Sequence, residues 1–156
     1  KGGCNVTVSD PVPEKRELAL KLGAQYVIDP TKEDIVKRGM EITNGRGYDI
    51  LYDVAGVPKA APAMLDLLAY GGTVVYFAVF PMDYYLPVNL YDLYSKEGRI
   101  QTVFTNFYNY PRVIDLIPRM QLETIVTREM KLSDGVEIFN AFLESKNNKI
   151  VVDCSK

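Results

Sequence analysis

The sequence predicts an α/β fold, a parallel sheet with helices packed on both of its faces. Two observations carry that expectation. Residues 48–56 run strand-like through Ile50, Leu51, Val54 and Ala55 to Gly56 and Pro58, and residues 73–79 are almost continuously apolar. Runs of that kind are buried on both faces of a sheet. Between them Ala61, Met64, Leu65 and Leu68 recur at helical spacing, with Pro58 suited to a first helical turn and Gly71-Gly72 to a helix end. Strand, crossover helix and strand make one right-handed βαβ unit, and sheets built from such units take ligands at the carboxyl ends of their strands.

The other elements alternate in the same way. Residues 5–9 form a strand ending on Asp10, and after Pro11 and Pro13 a helix covers 14–22, with Leu18 and Leu22 inward and Gly23 as its stop. Residues 26–28 form the next strand, ended by Asp29-Pro30. Thr31 is expected to cap the following helix, with Asp34 completing a short capping box, Ile35, Val36, Met40 and Ile42 as its apolar side, and Gly39 as a weak point. The Asn44-Gly45-Arg46-Gly47 turn leads into the central unit, and a loop at residues 80–83 follows it. Residues 87–96 read as a short helix and 99–104 as a strand. A helix opens at Pro111, with Val113, Ile114 and Ile117 inward and Pro118 bending it. Residues 122–130 alternate as a strand, Ser133 caps a helix striped by Ile138, Phe139, Phe142 and Leu143, and 149–153 close the chain as a strand.

Composition narrows the function. With 156 residues and 47% hydrophobic content, the chain is large enough for a domain with its own core. A net charge of −2 offers nothing for nucleic acid, and no apolar run reaches the roughly 20 residues of a membrane span. The tyrosines between Tyr84 and Tyr110 therefore read as core and interface packing, not as a base-stacking surface. Cys4 and Cys154 are expected to be free thiols in a reducing, cytoplasmic compartment. Histidine is absent, which removes a Ser/His/Asp triad, a histidine base and histidine metal ligands from this chain. No G-x-G-x-x-G and no Tyr-x-x-x-Lys occurs.

Asp10 carries the sharpest local chemistry. An acid at the tip of a strand, just before a helix, can accept hydrogen bonds from both ribose hydroxyls of an adenine nucleotide and repels a 2′-phosphate, which favours NAD over NADP. On the residues alone it is equally a turn aspartate before Pro11.

A resemblance extends over essentially the whole chain. Ser9-Asp10, Lys21-Leu-Gly-Ala24, Tyr26-Val-Ile-Asp29, Asn44-Gly-Arg-Gly47, Asp53-Val-Ala-Gly56 and Gly71-Gly-Thr-Val-Val75 occur in the order and spacing of the zinc-dependent medium-chain alcohol dehydrogenases. The sequence is similar to the sorbitol and threonine dehydrogenase types in particular, and Val103-Phe104 with Tyr110-Pro111 resembles the sorbitol type further. The resemblance implies a Rossmann-type doubly wound parallel sheet, truncated so that its first strand and Gly-rich phosphate turn are missing. It also implies a short C-terminal segment that returns to the catalytic domain, so that residues 1–121 form a partial NAD-binding domain and 122–156 belong to that other domain. The start at Lys1-Gly2-Gly3-Cys4, neither signal peptide nor initiator methionine, fits a chain beginning within a longer protein.

The same resemblance assigns cofactor-binding roles. Asp10 matches the ribose acid and Lys15 the basic residue beside it. Phe77, Ala78 and Val79 match the strand end that passes the nicotinamide ring, where the family usually has glycine at the place of Ala78. Val103, Phe104 and Thr105 match the segment whose backbone holds the carboxamide. Lys149 matches a residue that reaches the pyrophosphate, and is equally a solvated lysine before a strand. The zinc ligands of the parent enzyme and its proton relay would lie outside this chain, which supplies no catalytic and no metal-binding residue and is expected to be inactive alone. The implied substrate is a small alcohol or polyol, oxidised by hydride transfer to NAD. The implied assembly is a homo-oligomer, joined edge to edge through the strand near 99–103.

Two rival readings are a Rossmann-like methyltransferase, which would end in an antiparallel strand pair, and a non-catalytic nucleotide-binding or packing module. In the sheet order 3-2-1-4-5-6, the strands at 5–9, 26–28 and 48–54 would be the second, third and fourth. Without the first, the 5–9 and 48–54 strands are expected to pair directly or to have the gap filled by another chain.

Overall fold

Alternating apolar runs and Gly/Pro breaks fold this chain into parallel strands joined by helices. We describe it from a computed structural model that covers residues 3–104, 109–120, 122–143 and 149–155. The chain divides into two compact units, Lys1–Lys32 with Asn106–Lys156, and Glu33–Thr105.

In the first unit β1 (Thr7–Ser9) lies parallel to β2 (Tyr26–Ile28), connected by α1 (Pro13–Lys21), whose first turn takes Pro13. Ile28 is buried, but α1 buries no residue. Leu22 falls beyond the last helical turn and is exposed, so the inner face expected from Leu18 and Leu22 is only the half-buried Leu18 and Ala19. The later part of this unit holds α5 (Tyr110–Leu116), continued by a 3-10 turn at Ile117–Arg119 that contains Pro118. Val113, Ile114 and Ile117, expected inward, are exposed. Residues Leu122–Ile125 form a second 3-10 turn, so the strand expected from 122 begins only at β6 (Val126–Lys131). Ser133 sits inside a third such turn, Leu132–Asp134, instead of capping α6 (Val136–Leu143); Asp134 closes that turn by accepting the Lys131 amide. Ala141 is the buried position of α6, while Phe139, Phe142 and Leu143 are exposed. A stripe needs a surface opposite it, and none of the described residues covers this one. Strand β7 (Lys149–Asp153) runs parallel to β6.

The second unit contains α2 (Ile35–Ile42), β3 (Tyr48–Asp53), α3 (Ala61–Asp66), β4 (Leu68–Tyr76), α4 (Leu90–Ser95) and β5 (Arg99–Thr102), in the parallel order β3-β4-β5. Asp34, not Thr31, caps α2, accepting the Lys37 amide at 2.9 Å. Gly39 is more than a weak point of that helix, because a Cβ there would lie 2.6 Å from Leu67 Cδ2; its absence lets α2 approach the core. Pro58 stands in a turn and Pro62 occupies the first turn of the shorter α3. Leu68 and Gly71-Gly72, read as helix and helix stop, belong to β4, which takes five positions against two on β3 between the pairs Tyr48↔Leu68 and Ile50↔Thr73. This bulge keeps Leu68 in the core cluster with Leu51, Ala61, Leu67, Val74 and Tyr76.

Burial on both faces holds for β4 but not for β3, where Ile50 and Tyr52 are 56% and 64% exposed. Of the tyrosines at 84–110, Tyr84 packs against the core cluster, whereas Tyr85, Tyr91, Tyr94 and Tyr110 are exposed. The pair β1-β2 is the one expected of the second and third strands, and β3, expected as the fourth, heads the order β3-β4-β5. Within its own unit each of these strands finds a parallel partner across a crossover helix, α1 for β1-β2 and α3 for β3-β4. All strand pairs among the described residues are parallel, including β6-β7, which removes the antiparallel ending of the methyltransferase reading.

Candidate functional site

In the first unit the carboxyl edge of β1 is built around Asp10. Its amide donates to the Ile28 carbonyl at 3.3 Å, extending the β1-β2 ladder by one residue. Its Oδ1 accepts the Val12 amide at 2.8 Å, the side-chain turn typical of aspartate before a helix. The second carboxylate oxygen has no hydrogen-bond donor among the described residues, and the residue is half-buried. Lys15 stands half-buried in the first turns of α1, with no carboxylate among the described residues within ion-pair reach.

Two residues that sequence reasoning missed hold this turn. Arg16 donates through Nη1 to the Asp10 carbonyl at 2.6 Å and through Nη2 to Asp29 Oδ2 at 2.8 Å. Asp29 Oδ1 accepts the Thr31 amide at 3.0 Å and hydroxyl at 2.5 Å. These Thr31 bonds, the hydroxyl foremost, hold the Asp29 carboxyl below its ordinary value against the opposing effect of burial, and Arg16 and Lys32 add to the lowering. The available signal was charge: an arginine early in the helix between two strand ends can pair with the acid that follows the second strand.

In the second unit the carboxyl edge of the sheet is formed where β3 and β4 end. Asp53, 7% exposed, accepts the Ala55 and Gly56 amides on Oδ1 at 3.2 and 3.3 Å, while its carbonyl accepts those of Phe77 and Ala78 at 3.0 and 3.1 Å. Its Oδ2 is buried without a hydrogen-bond partner among the described residues. Gly56, at φ 66°, lies so close to β4's end that a Cβ would stand 2.7 Å from the Val79 carbonyl oxygen. Behind this clamp the Tyr76 hydroxyl donates to the Ala61 carbonyl at 3.0 Å, and burial first, then the Asp53 charge and Tyr84, push its pKa up to about 12. Tyr76 meets Phe80 edge-on, and Phe80 stacks on Tyr84.

Phe77 and Val79 are exposed beyond this clamp, with Ala78 half-buried between them. The Val103 amide reaches the Tyr76 carbonyl at 3.4 Å, so Val103 and the exposed Phe104 follow β5 at the same edge. Thr105 lies outside the described residues. Lys149 is exposed at the start of β7, in the unit that holds Asp10. A shallow cavity of about 170 Å³, lined by Pro62, Leu65, Pro87, Leu93 and Lys96 among others, lies at the opposite, amino end of β4.

The geometry thus brings Asp10, Lys15, Arg16 and Asp29 together in one unit, and Asp53, Gly56, residues 77–79 and Val103 together in the other. Residues 1–119 match the family described as zinc-binding dehydrogenase. An L-threonine 3-dehydrogenase of Pyrococcus horikoshii is 32% identical over 157 residues, covering 96% of this chain and 44% of that protein. A sorbitol dehydrogenase of Bacillus subtilis is 27% identical, over 97% of this chain and 43% of its own length. Among solved structures, one described as a zinc-binding dehydrogenase from Clostridium scindens superposes with a TM-score of 0.91 at 37% identity, covering 97% of this chain and 43% of that one. The chain spans less than half the length of these relatives.

Proposed function

This chain belongs to the zinc-binding dehydrogenase family, and from that premise we propose that it is the cofactor-binding half of an NAD-dependent alcohol or polyol dehydrogenase. Residues 1–121 serve the cofactor and 122–156 belong with a catalytic domain. The observation that carries the reading is the carboxylate of Asp10, fixed at a strand end by one oxygen while the other accepts no bond from the described residues. That is the acceptor a ribose diol requires, so the residues present fit NAD. Bound there, NAD supplies a ring that accepts hydride from the alcohol carbon. Asp10 orients the ribose and Lys15 adds positive charge beside it. Phe77, Ala78 and Val79 offer an apolar wall to the ring and exclude water from it, and Val103, Phe104 and Thr105 are assigned to the carboxamide. Lys149 is assigned to the pyrophosphate.

Zinc does not fit the described residues: the chain has no histidine, and among those residues no group of three or more His, Cys, Asp or Glu could hold a metal. No step is therefore routed through it here. The substrate is a small secondary alcohol, such as those for which the relatives are named. The exposed strand β5, paired on one edge only among the described residues, supports assembly of copies edge to edge. No described helix is long and apolar enough to cross a membrane. A cytoplasmic location belongs to the same proposal.

The test is Asp10→Ser in the natural full-length protein. The KM for NAD should rise about tenfold and use of NADP should improve, because an acceptor and a repulsive charge are removed together. Unchanged kinetics with both cofactors would remove Asp10 from the site.

A further inference from the structure

At the carboxyl edge of the β1-β2 pair, Asp10 and Asp29 follow neighbouring parallel strands, and Arg16 lies between them. The guanidinium is divided, with Nη1 on the Asp10 carbonyl at 2.6 Å and Nη2 on Asp29 Oδ2 at 2.8 Å, and the two side chains are 13% and 12% exposed. Asp29 cannot turn away, because Thr31 occupies its other oxygen through amide and hydroxyl. An arginine beside the ribose acid is also the group that would receive a 2′-phosphate, since its fork matches phosphate geometry. Here both arms of the fork are engaged.

We infer that Asp29 is a specificity-determining residue for the cofactor: it holds Arg16 against the Asp10 carbonyl, so that the guanidinium fixes the ribose acid's turn and is withheld from a 2′-phosphate. Selectivity then has two parts. Asp10 repels the phosphate, and Asp29 keeps the nearest rigid cation from attracting it. The inference rests on the reading of Asp10 as the ribose acid. Arg16 and Asp29 are positioning residues in this arrangement and touch no reacting atom.

Calorimetric titration of NAD and of NADP into the natural full-length protein tests it, with circular dichroism to establish folding. Asp29→Asn keeps an acceptor for Thr31 and removes the charge that binds Arg16. It should weaken NAD about threefold and tighten NADP about tenfold, and adding Arg16→Met should abolish the NADP gain. A role confined to stability would move the melting temperature and leave the ratio of the two affinities alone. Both affinities within about twofold of the parent in folded Asp29→Asn overturn the inference. If that variant does not fold, Arg16→Lys decides: its single ammonium does not span both acceptors as the fork does, NAD should bind about fivefold more weakly, and unchanged binding is the refuting result. Asp10→Ser, titrated in parallel, separates the two levels. No change there defeats the ribose-acid reading itself, whereas a change there with none at Asp29 or Arg16 removes only the role of the pair.

Discussion

The two units hold themselves together by different means. Glu33–Thr105 has a true apolar centre, with Leu51, Ala61, Leu67, Leu68, Val74 and Tyr76 packed into one cluster and partly buried side chains from α2 and the loop after β4 around it. In the segment carrying β1, α1 and β2, Ile28 is the buried apolar side chain among the described residues, and α1 buries none. What that segment has in place of a core is a chain of polar contacts from Asp10 through Arg16 and Asp29 to Thr31. Apolar packing stabilises in proportion to the area buried and at any pH, while a charged chain depends on both partners keeping their ionisation. One carboxyl edge thus stands on packing and the other on electrostatics.

The strongest way to break the contrast is to cut the core. Leu68→Ala should destabilise the second unit by about 2–5 kcal/mol, since Leu68 is fully enclosed, whereas Phe142→Ala on the exposed face of α6 should change stability by no more than about 0.5 kcal/mol. Denaturant melts followed by two probes, one per unit, would measure both; equal losses would show that the packing difference is not energetic. Next in size is Gly56→Ala, where positive φ and the close Val79 carbonyl act together; a loss of about 1–3 kcal/mol is expected, with weaker NAD binding in the full-length protein. Wild-type melting and cofactor affinity in that variant would mean the clamp between Asp53 and Val79 is not rigid.

Two pH limbs sharpen the comparison further. The Tyr76 phenol has its pKa raised from 10.0 to about 12, so it contributes stability that is complete below pH 10 and is lost as pH rises toward 12. Tyr76→Phe should remove that alkaline dependence, read as melting temperature against pH alongside phenolate absorbance. An unchanged alkaline limb would place the responsible group elsewhere. Asp29 has the opposite sign. Its lowered pKa gives stability that is present above the ordinary value of 3.8 and is lost as pH falls through the folded value, and Asp29→Asn should flatten that acid limb by the smallest margin of the series. An acid limb of unaltered slope in the variant would deny Asp29 that part.

Much of the fold was legible because parallel strands and crossover helices write themselves as apolar runs with glycine and proline between them. Positions 26–28 and 149–153 needed nothing more, and both are strands with those bounds. The errors fall where local and tertiary signals compete. Asp34 and Thr31 are both good helix caps, and Thr31 is already committed to Asp29. Leu68 fits a helical stripe, yet its core position is reached from a bulged strand. The stripes on α5 and α6 are real, but a stripe does not disclose whether anything covers it. Among the candidate site residues, Asp10 could be singled out from its place at a strand tip. Arg16 and Asp29 could not, because the adjacency of the two strands does not say which of Lys15, Arg16 and Lys32 lies between their turns, and Asp53 reads as an ordinary strand-end acid until its burial is seen.

Strand β4 has a consequence for how the molecule opens. Within the described residues it alone is hydrogen-bonded to a strand on each flank, β3 on one side and β5 on the other. Each of its ladder amides points into the pair with β3 or the pair with β5, so among the described residues they should be among the last to take up deuterium. The pairs β1-β2 and β6-β7 need lose only one partner each, and their amides should exchange through smaller, more frequent openings. The turn that follows β4 is therefore kept by a slow-opening part of the described chain, and the turn around Asp10 by a part that breathes.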